Sequence, residues 1–131
     1  FTNAGQILLY NCNNSVISNL SFSNGHSGVT LFHSNNNKIT GNNFSANLYG
    51  INIYLSEFNI VSENIIKDNI GWHDMGSVGI YLSWSDNNII QRNIIKNNTN
   101  EMLFPFPFRQ GGISLELGSN TSIISNEITY N

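Results

Sequence analysis

An internal repeat limits what this chain can fold into more than any other feature. Taking Gln6, Gly28, Gly50, Gly79 and Gly112 as the first residue of successive units, the spacings are 22, 22, 29 and 33 residues. Columns then align without gaps. One residue after the origin stand Ile7, Val29, Ile51, Ile80 and Ile113, and three after it Leu9, Leu31, Ile53, Leu82 and Leu115. Eleven after it come Ile17, Ile39, Val61, Ile90 and Ile123, and sixteen after it Phe22, Phe44, Ile66, Ile95 and Ile128. Asn42, Asn64, Asn93 and Asn126 share offset fourteen, where Leu20 is the exception. Asn47, Asn69, Asn98 and Asn131 share offset nineteen, with Gly25 in the first unit, and Cys12, Ser34, Ser56, Ser85 and Gly118 form a small-residue column at offset six.

A unit of this size cannot bury its own apolar face, so the copies must stack into a common core. Short apolar–polar alternations such as Ile51-Asn52-Ile53 read as strands, with Asn, Ser and Gly supplying the turns. The 25 Asn and 16 Ser disfavour helix throughout, while 18 Ile supply most of the apolar content. Three strand segments per turn of about 22 residues describe a rung of a parallel β-helix, rising about 4.8 Å per rung. A leucine-rich-repeat horseshoe, with one Leu-dominated strand per unit, does not fit. At the corners, stacked Asn amides accept from one rung and donate to the next. The expectation is therefore an all-β solenoid of about five rungs, one domain over residues 1–131, with two loop insertions.

Composition removes several functional classes. Five Lys and Arg against eight Asp and Glu leave a net charge of −3, which argues against nucleic acid as a partner. No apolar run approaches the ~20 residues of a membrane span. The single cysteine, Cys12, excludes an internal disulfide and reads as a small inward space-filler. No resident cofactor is expected.

The runs Gly79-Ile-Tyr-Leu-Ser-Trp-Ser-Asp-Asn-Asn-Ile-Ile and Asn93-Ile-Ile-Lys-Asn-Asn resemble the Asn-rich repeats of the right-handed parallel β-helix superfamily. That superfamily includes carbohydrate-binding and sugar-hydrolase modules, pectate-lyase-like enzymes, periplasmic copper-binding accessory proteins of nitrous-oxide reductase maturation and archaeal surface proteins. The resemblance covers essentially the whole chain and implies the right hand of the coil. It speaks weakly to function, since the shared residues are those that build the coil.

The two insertions, segments 70–78 and 99–111, both fall between the offset-nineteen Asn and the next origin glycine, so they should emerge side by side. In pectate-lyase-like proteins, loops at this place and the outer face of the strand that follows form the substrate cleft, and the resemblance points there. On that face offset four carries Tyr10, Phe32 and Tyr54, then Ser83 and Glu116, and offset two adds Tyr81. Together with Trp72 and with Phe104, Phe106 and Phe108 of the Phe-Pro-Phe-Pro-Phe run, these rings are candidates for stacking on sugars or for contact with a protein. The simpler alternative is that the insertions pack over the stripe as a lid.

Catalytic candidates are Asp74, Glu101 and Glu116, with His73 and Arg109 nearby; a polysaccharide hydrolase needs two such carboxylates within ~5–10 Å. They match no catalytic motif, and a surface charge set without chemistry is the simpler reading. Glu57 and Asp86 share offset seven and read as a solvated turn. His73, Met75 and Met102 make a soft donor set suited to Cu(I), although such residues more commonly serve as packing groups. Outward Ile60 and Ile89, with Ile65 and Ile94, form a further apolar feature on neighbouring rungs.

Phe1 enters partway through a rung and Asn131 stops at the last repeated position, so the chain reads as part of a longer one or as a unit whose open ends meet other chains. Few charges and abundant Asn suit an extracellular or cell-surface setting, with the periplasm as the alternative. The leading expectation is a non-catalytic scaffold presenting one aromatic-bearing face to carbohydrate or protein. A polysaccharide lyase or hydrolase is the second, and a periplasmic copper-binding protein the third.

Overall fold

The structure, a computed structural model, describes residues 5–71, 76–100 and 111–131. Three five-stranded parallel sheets run the length of the coil, each taking one strand from every rung. The first sheet comprises Ile7–Tyr10, Ser27–Phe32, Tyr49–Tyr54, Val78–Ser83 and Gly111–Glu116. The second comprises Val16–Ser18, Lys38–Thr40, Ile60–Ser62, Ile89–Gln91 and Ser122–Ile124. The third comprises Ser21–Ser23, Asn43–Ser45, Ile65–Lys67, Ile94–Lys96 and Glu127–Thr129. A short parallel pair, Ile70–Gly71 with Thr99–Asn100, forms at the start of the two insertions.

The register follows the sequence columns residue for residue. Ile7, Val29, Ile51, Ile80 and Ile113 are successive partners in the first sheet. Ile17, Ile39, Val61, Ile90 and Ile123 are partners in the second, and Phe22, Phe44, Ile66, Ile95 and Ile128 in the third. In the three middle rungs these files are sealed from solvent, and Phe22 stacks on Phe44 at 5.0 Å inside the coil. In the last rung Ile123 and Ile128 of these files, with Leu115 of the offset-three file, are 45–46% exposed because no rung packs over them.

The corners explain the asparagine. Three amide ladders run through the coil, one at each of three corners, where the sequence columns had suggested two. The third is built by Asn37, Asn59 and Asn88 at offset nine. Its chemistry matches the other two. Each Oδ1 accepts from the backbone N–H and the Nδ2 of the preceding rung's asparagine, as Asn64 does from Asn42, and the Nδ2 groups other than that of Asn59 also donate to a main-chain carbonyl of the preceding rung. Buried amides are thereby satisfied on both sides. A serine file does similar work at offset six, where Ser34, Ser56 and Ser85 are buried and return their hydroxyls to the carbonyls of Phe32, Tyr54 and Ser83. Cys12 occupies the first place in that file and its Sγ makes the equivalent contact, 3.4 Å from the Tyr10 carbonyl.

Glu57 and Asp86 belong to a lesser ladder at offset seven that runs the other way. The Asn35 side chain accepts from the Glu57 N–H at 2.7 Å, and Asp86 accepts from the Ser119 N–H and, at 3.0 Å, from its hydroxyl.

The residue before each corner position takes the left-handed backbone conformation, with φ between 49° and 59° among the non-glycine residues, at offsets five, eight, thirteen and eighteen. Asparagine tolerates that region, but Leu55, Phe58, Trp84 and Leu117 adopt it at a cost of about 1–2 kcal/mol each. Their side chains are thrown outward, and Phe58 is half exposed. Replacing Phe58 by Asn should therefore raise stability by about 0.5–1 kcal/mol, read as a higher midpoint in urea unfolding. An unchanged or lower midpoint would show that the phenyl ring contributes packing that outweighs its backbone strain.

Candidate functional site

The outer face of the first sheet carries the concentration of aromatic side chains. Strand alternation sends offset four outward, and the register sets Tyr10, Phe32, Tyr54, Ser83 and Glu116 side by side on successive rungs. Tyr10 and Phe32 stack with centroids 5.4 Å apart, and Phe32 and Tyr54 at 5.3 Å with planes only 5° from parallel. His33 sets its ring edge against Phe32 at 4.5 Å. Such a column spends most of its ring faces on itself and turns ring edges outward. The face of Tyr54 toward the next rung meets Ser83 instead of another ring. Tyr10 is 52% exposed and Tyr54 36%. Trp84, 53% exposed, follows Ser83 at the adjacent corner and adds an indole that the sequence columns had not singled out.

Tyr81 faces outward from offset two but is buried. Its ring stacks on Tyr49 at 5.7 Å, and its hydroxyl donates to Glu116 Oε2 at 2.8 Å. These contacts cover most of Tyr81 and engage the carboxylate of Glu116. Tyr49 in turn receives the edge of His26 at 5.6 Å, and burial holds the His26 imidazole below its usual pKa. In line with Tyr81 at offset two on the two preceding rungs stand Asn52 and Thr30, whose Oδ1 and Oγ1 are buried with no hydrogen-bond partner among the described residues.

The remaining sequence candidates, Trp72, His73, Asp74, Met75, Glu101, Met102, Phe104, Phe106, Phe108 and Arg109, lie outside the described residues. Among the described residues, no three of His, Cys, Asp and Glu gather as a metal site. On the other flanks, Ile60 pairs with Ile89 and Ile65 with Ile94, with Ile65 and Ile94 about two-fifths exposed. Two ion pairs, Arg92 with Glu63 at 3.0 Å and Lys67 with Asp68 at 3.6 Å, sit on exposed side chains and contribute little to stability.

A family model described as the right handed beta helix region matches residues 1–128, almost the full length. The chain belongs to the right-handed β-helix family. The match settles the hand of the coil, which residue periodicity alone leaves open. No curated protein and no solved structure matches the chain. Within this β-helix, the aromatic column was legible because offset four repeats it on three rungs. The third asparagine ladder was also signalled, by Asn37, Asn59 and Asn88 at one offset, but Ser15 and Thr121 in the end rungs interrupt the column. The half-buried Tyr81–Glu116 pair had no sequence signal, because its two residues occupy different offsets on neighbouring strands.

Proposed function

We propose that this β-helix is a non-catalytic scaffold, outside the cell or at its surface, that presents the outer face of its first sheet to a carbohydrate or protein partner. The observation that carries this reading is the exposed aromatic column Tyr10–Phe32–Tyr54. Each ring is held by its neighbours and by a continuous parallel sheet, so a partner orders little upon binding. That preorganisation favours affinity. The column offers apolar ring edges, the phenol groups of Tyr10 and Tyr54, and the open face of Tyr54 above Ser83, a combination suited to the apolar faces and hydroxyl rims of sugar rings. Rigid aromatic surface is equally the currency of protein contacts. The engagement of Glu116 by Tyr81 speaks for a structural role of that carboxylate.

Affinity electrophoresis through gels carrying different soluble polysaccharides, run beside an assay for newly released reducing or unsaturated ends, tests the proposal. The native chain should be retarded by at least one polysaccharide without releasing product. Tyr10→Ala/Tyr54→Ala should migrate freely while keeping the native β-sheet circular dichroism. Product release would replace the scaffold reading with an enzymatic one, and retardation unaffected by the double substitution would move the contact off this face.

A further inference from the structure

A concavity lies at the third corner, on the opposite end of the first-sheet strands from the aromatic column. Its volume is about 430 Å³, within the range of small-molecule sites. Its wall is a file of three equivalent positions on consecutive rungs, His26, Leu48 and Ile70, spanning roughly 10 Å. Ala46, in the left-handed column where other rungs carry Asn24, Asp68, Asn97 and Tyr130, recesses the surface between them.

The chemistry of the lining is narrow. None of the described lining residues carries a full charge. Asn47 is spent in its ladder, with Nδ2 donating to the Phe22 carbonyl and to Asn69 Oδ1, and Oδ1 accepting from the Gly25 N–H. Asn24 stands exposed at the rim, its Nδ2 directed to Ser23 Oγ at 3.3 Å. That leaves His26 as the half-buried polar group of the wall. Its Nδ1 lies 3.4 Å from Ser27 Oγ, its ring is braced edge-on against Tyr49, and among the described residues none hydrogen-bonds its Nε2.

We infer that this hollow is a binding site for a compact neutral ring bearing one hydroxyl, a ligand of the phenol class. Leu48, Ile70 and Ala46 take the apolar ring, and His26 Nε2 pairs with the hydroxyl. A uronate or phosphate finds no cation among these residues, and a polyol finds too few hydrogen-bonding groups to replace its water. The shared chemistry has two sources, a free small phenol and the tyrosine side chain of a protein. The site is separate from the aromatic column and stands or falls independently of the scaffold proposal.

The test is titration of the ¹⁵N-labelled protein with p-cresol, with toluene as the hydroxyl-free control and a short neutral peptide, blocked at both ends and containing one tyrosine, as the second arm. p-Cresol should shift the amide resonances of His26, Leu48 and Ile70 saturably and leave those of Tyr10 and Tyr54 in place. Toluene should bind at least tenfold more weakly. His26→Leu should weaken p-cresol at least tenfold while leaving toluene unchanged, and Tyr54→Ala should leave p-cresol binding intact. Tighter binding of the peptide than of p-cresol assigns the site to a protein side chain, and binding of p-cresol alone assigns it to a free phenol. No saturable shift at these three residues up to 10 mM p-cresol, on the order of the weakest binding worth the name, overturns the inference. So does equal binding of p-cresol and toluene.

Discussion

Alanine at position 64 should cost about 3–5 kcal/mol of stability, measured as a fall in the urea midpoint at constant slope. Asn64 is buried at the centre of its ladder. Its Oδ1 accepts from the Asn42 N–H at 2.9 Å and from Asn42 Nδ2 at 3.1 Å, while its Nδ2 donates to the Ile39 carbonyl at 2.9 Å and to Asn93 Oδ1 at 3.0 Å. Truncation strands polar groups on the rung before it and the rung after it where water cannot replace the amide. The aspartate variant sharpens the argument. Asn64→Asp keeps the acceptor but turns the donor into a second oxygen facing the Ile39 carbonyl and Asn93 Oδ1. Its carboxyl should be held above the ordinary carboxylate pKa, since burial and these oxygens both disfavour the charged form. A raised folded-state pKa means that stability is lost as pH rises through it, so this variant should recover stability as pH falls from 7 toward 4. A cost below about 1 kcal/mol for Asn64→Ala would show that the ladder is a passive consequence of stacking.

The other large effect is expected at Gly50, where alanine should prevent folding or cost more than about 3 kcal/mol. A Cβ there would lie 2.5 Å from the Gly79 carbonyl oxygen and 2.7 Å from Ile66 Cγ2. The first obstacle is backbone pinned in a parallel sheet on the next rung, and the second is a sealed core side chain, so neither can withdraw. Gly41 makes the contrast. It sits at a corner and not within a strand, with φ of 67°, and its nearest obstacle is the Asn19 side-chain oxygen at 3.0 Å, on an exposed residue. Gly41→Asn should stay within about 1 kcal/mol of the parent, because asparagine tolerates the left-handed region and already occupies that column at Asn19. Soluble yield and urea midpoints of the two variants decide the matter. A folded Gly50→Ala protein of near-native stability would mean that the rungs can part locally without losing the coil.

Much of this architecture was readable before any coordinates. Ile39, Val61 and Ile90 occupy one offset, and they stack in one sealed file, because a coil repeats the same inward position every turn. The same logic predicted the outward row Tyr10, Phe32 and Tyr54. It failed to predict how those rings orient. Offset says that they are neighbours, whereas face-to-face packing, with edges turned to solvent, depends on side-chain torsions and on what lies beside each ring. Tyr81 shows the limit most clearly: it stands on the outward side of its strand, yet Tyr49 and Glu116 draw it into a buried contact. The candidates in the two insertions carry no repeat, so no column constrains where they go.

The order of residues along the chain thus determined the rung length, the pairing register and the identity of the core, since all three follow from a period that any observer can count. Only the tertiary structure decided the direction of the amide ladders, the left-handed backbone at Leu55, Phe58 and Trp84, and the hollow beside His26. Each of these arises between rungs and not within one: a corner residue's conformation is set by the hydrogen bonds and side chains of the turn above and the turn below, which are about 22 residues away or more in the chain and in van der Waals contact across the stack.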